Sequence, residues 1–142
     1  MAIYLQVRSG PVYLMLDALA VHEVLGLEGQ IDGAQGHVEW RDDVLSAINM
    51  AELLGFEAPA PVMGVVYTPE DDGQPIMLMV EEVLGLKNLS AQDWSKMPRI
   101  PADSARYIDG VWLEPQHERQ SFRFRRPMPK AQALATTDDA SA

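Results

Sequence analysis

Apolar and polar residues alternate from the start of the chain. Leu5 and Val7 lead to Ser9-Gly10-Pro11, after which Val12, Leu14 and Leu16 resume the period of two. This pattern predicts a β-hairpin over 3–8 and 12–17. The next stretch, "ALAVHEVLGL" (18–27), is apolar enough for a strand or a short buried helix, and its spacing fits both. "EGQIDGAQG" (28–36) reads as a glycine loop. "HVEWR" and "DVLSAINM" read as strands split by a turn at Asp42-Asp43. "NMAELLGF" (49–56) has helical spacing at Met50, Leu53 and Leu54, Asn49 at the N-cap and Gly55 at the stop. After the linker "EAPAP" come two strands, "VMGVVYT" and "QPIMLMV", around the polar turn "PEDDG". "SAQDW" (90–94) offers a capping pair, Ser90 and Asp93, for a one-turn helix. "PRIPADSA" reads as a loop, and "RYIDGVWLEP" with "QSFRFRRP" as a last hairpin. From Met128 onward nothing is patterned for burial, and 128–142 is expected to be a disordered tail.

One phrase occurs twice. "VHEVLGLEG" (21–29) and "VEEVLGLKN" (80–88) share "EVLGL", and in both cases a hairpin precedes the phrase and further strands follow. The expected fold class is therefore all-β with two short helices, built as two small barrels in which the phrase holds matching places. The expected organisation is a single domain, 1–127, of two interleaved subdomains with a switch near 56–61.

Charge and composition narrow the chemistry. The chain carries 11 basic and 21 acidic residues, a net charge of −10, which disfavours nucleic acid and anionic membrane surfaces as partners. The basic run "RQSFRFRRPMPK" is the local exception and reads as a solvated strand face. The absence of cysteine removes disulfides and thiolate chemistry. No apolar run is long enough to span a bilayer and no signal peptide is visible, so a cytoplasmic location without membrane insertion is expected.

Catalytic and metal motifs are missing. His22, His37 and His117 lack metal-ligand spacing, "PEDDG" lacks the alternating ligands of a calcium loop, and "GLEGQIDGAQG" lacks the strand-to-helix frame of a dinucleotide loop. No enzyme activity, cofactor or metal is expected.

Five stretches, in order, resemble the CheW-like domain of bacterial chemosensory adaptors: "YLQVRSGPVYLMLDALAVHEVLGL", "EWRDDVLSAINMAELLG", "GVVYTPEDDGQPIMLMVEEVLGL", "SAQDWSKMPRIP" and "YIDGVWLEP". The resemblance implies two SH3-like five-stranded β-barrel subdomains packed around a shared core. It also implies a scaffold that couples the cytoplasmic tip of a chemoreceptor to the regulatory domain of a CheA-type histidine kinase, with other CheW-like proteins as further partners. The chain departs from the family at several places. The family's Arg-Gly turn is Arg41-Asp42 here, its strand proline is Ser46, its following Asp is Asn49, and the loop after "VHEVLG" is shorter. A one-sided adaptor that binds a single partner is therefore an alternative reading, and a small β-barrel ligand sensor is another.

The candidate partner-binding residues are Val21, Glu23, Trp40, Arg41, Glu81 and Glu82. Val-His-Glu-Val as a strand is expected to bury Val21 and Val24 and to project His22 or Glu23. Glu23 and Arg41 match family positions for partner contact and for the turn. Arg41 suits an interface as a planar five-donor fork or, equally, a salt bridge to a neighbouring acid. Trp40 suits a core or a binding hot spot. Glu81 takes the place of the family's "VD" acid, and Glu81 and Glu82 also read as a polar strand edge. Trp94 and Trp112 are expected in the core or at contacts between the subdomains.

Overall fold

The alternation of the first seventeen residues does produce a hairpin: strands β1 (Ala2–Ser9) and β2 (Val12–Asp17) pair antiparallel from Tyr4↔Asp17 to Ser9↔Val12. The computed structural model describes residues 1–27, 36–57, 60–70 and 73–128, the side chain of residue 103 excepted. Residues 28–35 of the predicted glycine loop, the middle of the 57–61 linker, Asp71 and Asp72 of "PEDDG" and the tail from 129 onward lie outside the described residues. Met128, which was expected in the tail, is buried in the core, and its backbone N–H donates to the Pro69 carbonyl at 3.1 Å.

After β2 a 3-10 turn (Ala18–Ala20) leads to β3 (Val21–Gly26), β4 (His37–Trp40) and β5 (Asp43–Asn49). This resolves the ambiguous stretch 18–27 as a helical turn followed by a strand. The one-turn helix α1 (Met50–Leu53) starts as its sequence predicts, with Asn49 Oδ1 accepting from the Ala51 N–H at 3.0 Å, and Gly55 follows it at φ +83°. Then come β6 (Met63–Tyr67), β7 (Ile76–Val80), β8 (Glu82–Leu89), a 3-10 turn (Ala91–Asp93), a second one-turn helix α2 (Ala102–Ala105), β9 (Ile108–Leu113) and β10 (Gln120–Phe124). The helix α2 stands where a loop was expected. Pro101 ends the loop and is compatible with a helix start, where a missing N–H costs nothing.

Two five-stranded curled sheets result, in the orders β8-β1-β2-β10-β9 and β3-β6-β7-β5-β4. They match strand for strand. In each, the first two pairings are antiparallel, the third is parallel and the last is antiparallel. The repeated phrase therefore occupies the same edge of each sheet. It does not stay with its own hairpin, however: β3 leaves β1-β2 to join the second sheet, and β8 leaves β6-β7 to join the first. The chain changes sheets at Ala18–Ala20 and at Glu81. The stretch 56–61, expected as the switch, instead joins α1 to β6 within the second sheet and separates the two topologically equivalent runs β1–β5 and β6–β10.

The facing sides of the sheets share one apolar core. Leu5, Val7, Leu14 and Leu16 of the first sheet meet Val65, Tyr67, Leu78 and Val80 of the second, with Met50 and Leu54 beside them. On its other face the second sheet packs a smaller apolar cluster, Leu27, Val38, Leu45, Val66, Met77 and Met79. The first sheet's other face differs. Gln6 alternates with Leu5 and Val7, and it is buried with Ser121 and Glu114. Gln6 Nε2 donates to Glu114 Oε2 and to Ser121 Oγ, both at 2.9 Å. Arg119 forks onto the Glu114 carboxylate and stacks over Tyr13 with its Cζ 4.2 Å from the ring centroid. One curled sheet is thus filled with hydrocarbon and its counterpart holds a buried ion pair, beside which Gln6 Oε1 has no hydrogen-bond partner among the described residues.

Candidate partner-binding site

Glu23, Trp40 and Arg41 come from strands at opposite edges of the second sheet. β3 carries Glu23, and the β4–β5 hairpin carries the other two. Curling of the sheet brings these edges together. Glu23 Oε1 accepts from Trp40 Nε1 at 3.2 Å and from Arg41 Nη2 at 2.9 Å, while the Arg41 Cζ lies 4.7 Å from the centroid of the Trp40 ring. His22 also contacts the Trp40 ring, with centroids 6.3 Å apart. One carboxylate thus orients an indole and a guanidinium on a surface where Arg41 is exposed and Glu23 and Trp40 are half-buried. Trp40 packs on one side against the second sheet's apolar cluster. Among the alternatives for Arg41, its ion-pair partner is Glu23, eighteen residues away, and not the adjacent acids.

The two-residue turn of this hairpin is Arg41-Asp42, between the paired Trp40 and Asp43, one residue earlier than expected. Both turn residues have positive φ, 46° and 66°. That is the backbone of a tight hairpin turn, in which the second position favours glycine because a Cβ there crowds the chain. Asp42→Gly is expected to raise stability by about 1 kcal/mol, read as a higher urea midpoint with an unchanged slope.

Val21, Glu23 and Leu25 are half-buried, whereas His22, Val24 and Gly26 are exposed; Val21 packs against the shared core and Leu25 against the second sheet's own cluster. Burial of both valines was expected. It does not occur for Val24: the register shift between Val21 and Glu23 sets both valines opposite core-facing residues, Tyr67 and Val65, but only Val21 is covered there.

Glu81 and Glu82 lie far from this cluster in sequence and act on the other sheet. Arg8 Nε donates to Glu82 Oε1 at 2.9 Å, and Arg8 Nη1 donates to Glu81 Oε2 at 3.0 Å. The second Glu81 oxygen accepts from the Gly10 N–H at 2.9 Å, which ties the β7–β8 crossing to the turn of the first hairpin. Hydrogen bonding by Glu82 and then Glu81 raises the Arg8 pKa further above its ordinary value. Glu23 and Glu82 hold equivalent places in the repeat, and each is paired with an arginine. Their arginines differ in origin. Arg41 sits in the β4–β5 turn and Arg8 on the adjacent strand β1, so no sequence spacing common to the two pairs signals them.

Trp94 and Trp112, expected in the core or at contacts between the subdomains, are half-buried. Trp94 packs edge-on to Tyr4 at 5.2 Å and lies under the Arg123 guanidinium at 4.7 Å. The Gln6–Glu114–Arg119–Ser121 cluster was missed by sequence reasoning. "EPQHERQS" reads as an exposed hairpin turn, and only the apolar neighbours Val111 and Phe124 signal that the flanking strands bury it.

Among the described residues, no helix is long and apolar enough to cross a membrane, and no group of three or more metal-ligating side chains forms. Two curled sheets around one core, with ion-paired clusters at Glu23–Arg41 and Arg8–Glu82, define a two-unit β architecture. The family model for the CheW-like domain matches residues 4–120, and the chain belongs to that family, whose members are non-catalytic adaptors and scaffolds of chemotaxis. Among solved structures the fold resembles that of the scaffolding protein TtCheW from Thermoanaerobacter tengcongensis. The TM-score is 0.69 and the identity 14%, over 87% of this chain and 88% of that one. No curated protein matches.

Proposed function

We propose that this chain is a non-enzymatic cytoplasmic adaptor that couples a chemoreceptor's cytoplasmic tip to the regulatory domain of a CheA-type histidine kinase. The supporting observation is the Glu23–Trp40–Arg41 cluster. It is an aromatic anchor held by a charge pair on a half-exposed edge, the composition that concentrates binding energy at interfaces. In this reading Val21, Glu23, Trp40 and Arg41 rim the receptor contact. Glu81 and Glu82, braced by Arg8, mark a second surface for the kinase or for another CheW-like protein. Each contact is individually modest and gains strength from repetition in an array.

The test is to measure binding of the full chain to a receptor signalling-tip fragment and, separately, to the kinase's adaptor-like domain. Arg41→Glu and Glu23→Arg are each expected to weaken receptor binding by about tenfold or more, the loss of roughly 1.4 kcal/mol, with unchanged thermal melting. Failure of the wild type to bind either partner rejects the coupling role. Binding to only one identifies a one-sided adaptor, and intact binding in both variants moves the receptor site elsewhere.

A further inference from the structure

A pocket of about 420 Å³ opens beside α2, between the loop preceding it and the last hairpin. Its floor is apolar: Met97, Pro98, Ile100, Ala105 and Ile108. Its rim is cationic. Arg125 is half-buried there and fixed from behind, its Nε donating to the Arg106 carbonyl at 3.0 Å and its Nη2 to the Ile108 carbonyl at 3.1 Å. Its Nη1 makes no hydrogen bond among the described residues. Arg99 lies on the exposed rim and has neither an ion pair nor a hydrogen bond among the described residues. Asp109 also borders the pocket, but its carboxylate is engaged by Arg123 Nε at 2.7 Å. Two guanidiniums with open donors thus flank an apolar hollow in a chain whose net charge is −10.

We propose that this pocket binds a small organic carboxylate with an aromatic or aliphatic body. The apolar floor takes the body, and the guanidinium fork, whose planar donors match a carboxylate, takes the charge. The volume lies within the range of sites for small ligands and exceeds what a single side chain fills. The site shares no residue with the Glu23–Trp40–Arg41 cluster, so its existence is independent of the coupling role.

The experiment is an amide-shift titration of the full chain with 2-naphthoate, and with neutral 2-naphthamide as the matched probe. Saturable shifts confined to residues 97–109 and 125 are expected, with a Kd on the order of 1 mM for a probe of about 13 non-hydrogen atoms. 2-Naphthamide is expected to bind about fivefold or more weakly, and Arg99→Ala to weaken 2-naphthoate about threefold or more. Arg99 is exposed, so this variant retains the fold, and an unchanged amide spectrum outside the pocket verifies it. The proposal is overturned if no saturation occurs by about 20 mM, if acid and amide bind alike, if Arg99→Ala leaves the affinity unchanged, or if the shifts map to another face.

Discussion

Arg119→Ala is expected to destabilise the protein by about 3 kcal/mol at neutral pH, the scale for removing one partner of a buried ion pair. For a chain of this length that lowers the melting temperature by roughly 10 °C. Glu114 is 2% exposed and cannot turn to solvent. Burial alone would raise its pKa. Hydrogen bonds from Arg119 and Gln6, the Arg119 charge and the Ser121 hydroxyl outweigh burial and hold the pKa below the ordinary carboxylate value. A depressed folded-state pKa means that Glu114 contributes stability above the ordinary carboxylate range, and that this contribution is lost as pH falls through the folded value. Without Arg119 the balance reverses: burial dominates, and the variant's Glu114 takes up a proton more readily than in the wild type. The cost of the substitution should therefore shrink on acidification, because a neutral Glu114 no longer needs a cation. Urea midpoints of wild type and variant at about pH 7 and about pH 4 measure this. A gap that stays the same or widens at the lower pH contradicts the account.

The repeated phrase yields a second large effect. Leu27→Ala is expected to cost about 2.5 kcal/mol, whereas Leu86→Ala should cost less than about 0.5 kcal/mol. The two leucines end identical pentapeptides on equivalent edge strands, yet Leu27 is 7% exposed and Leu86 is 65% exposed. The position of one extra residue explains the difference. In β3 the register shifts between Val21 and Glu23, before "EVLGL" begins. In β8 it shifts between the partners of Gln6 and Val7, so Leu84 is the residue without a partner of its own, and Gly85 follows at φ +115°. An extra residue inside the phrase reverses the facing of everything after it. Leu27 therefore enters the second sheet's apolar cluster, and Leu86 is turned outward opposite Leu5. Denaturant melts of the two single variants, compared with wild type, decide the matter. Similar losses would mean that the bulges are not where the pairing places them.

Short-range patterns carried most of what was legible in the sequence. The first hairpin follows from alternation on both sides of Gly10. α1 follows from Asn49 and Gly55, and the turn after β8 follows from Ser90 and Asp93, whose carboxylate accepts from the Ser90 N–H at 2.7 Å. Membership of the CheW-like family and the two-sheet fold were legible from five stretches in order. What was hidden depends on contacts made far along the chain. Nothing local to "VHEV" says that a bulge at His22 will set Glu23 on the side of Val66, or that Trp40 will cross the curled sheet to meet it. The burial of Glu114 was equally invisible, because it is set by Gln6, 108 residues away. The exchange of edge strands between sheets was hidden for the same reason. The repeat showed that two equivalent units exist but could not show that each donates its strand to the other.

That exchange has a consequence for how the nascent chain matures. The second sheet is continuous in sequence, from Val21 to Val80, but the first is assembled from Ala2–Asp17 and from strands that begin at Glu82 and end at Phe124. Strands β1 and β2 are made well before their neighbours in the first sheet, β8 and β10. Their apolar face can be covered by the second sheet once Val80 is made, but the edge of β1 waits for β8 at Glu82 and that of β2 for β10 at Gln120. Closing so wide a span restricts chain freedom before it yields contacts, so the joining of β10 to β2 is expected to be slow beside the local hairpin pairings.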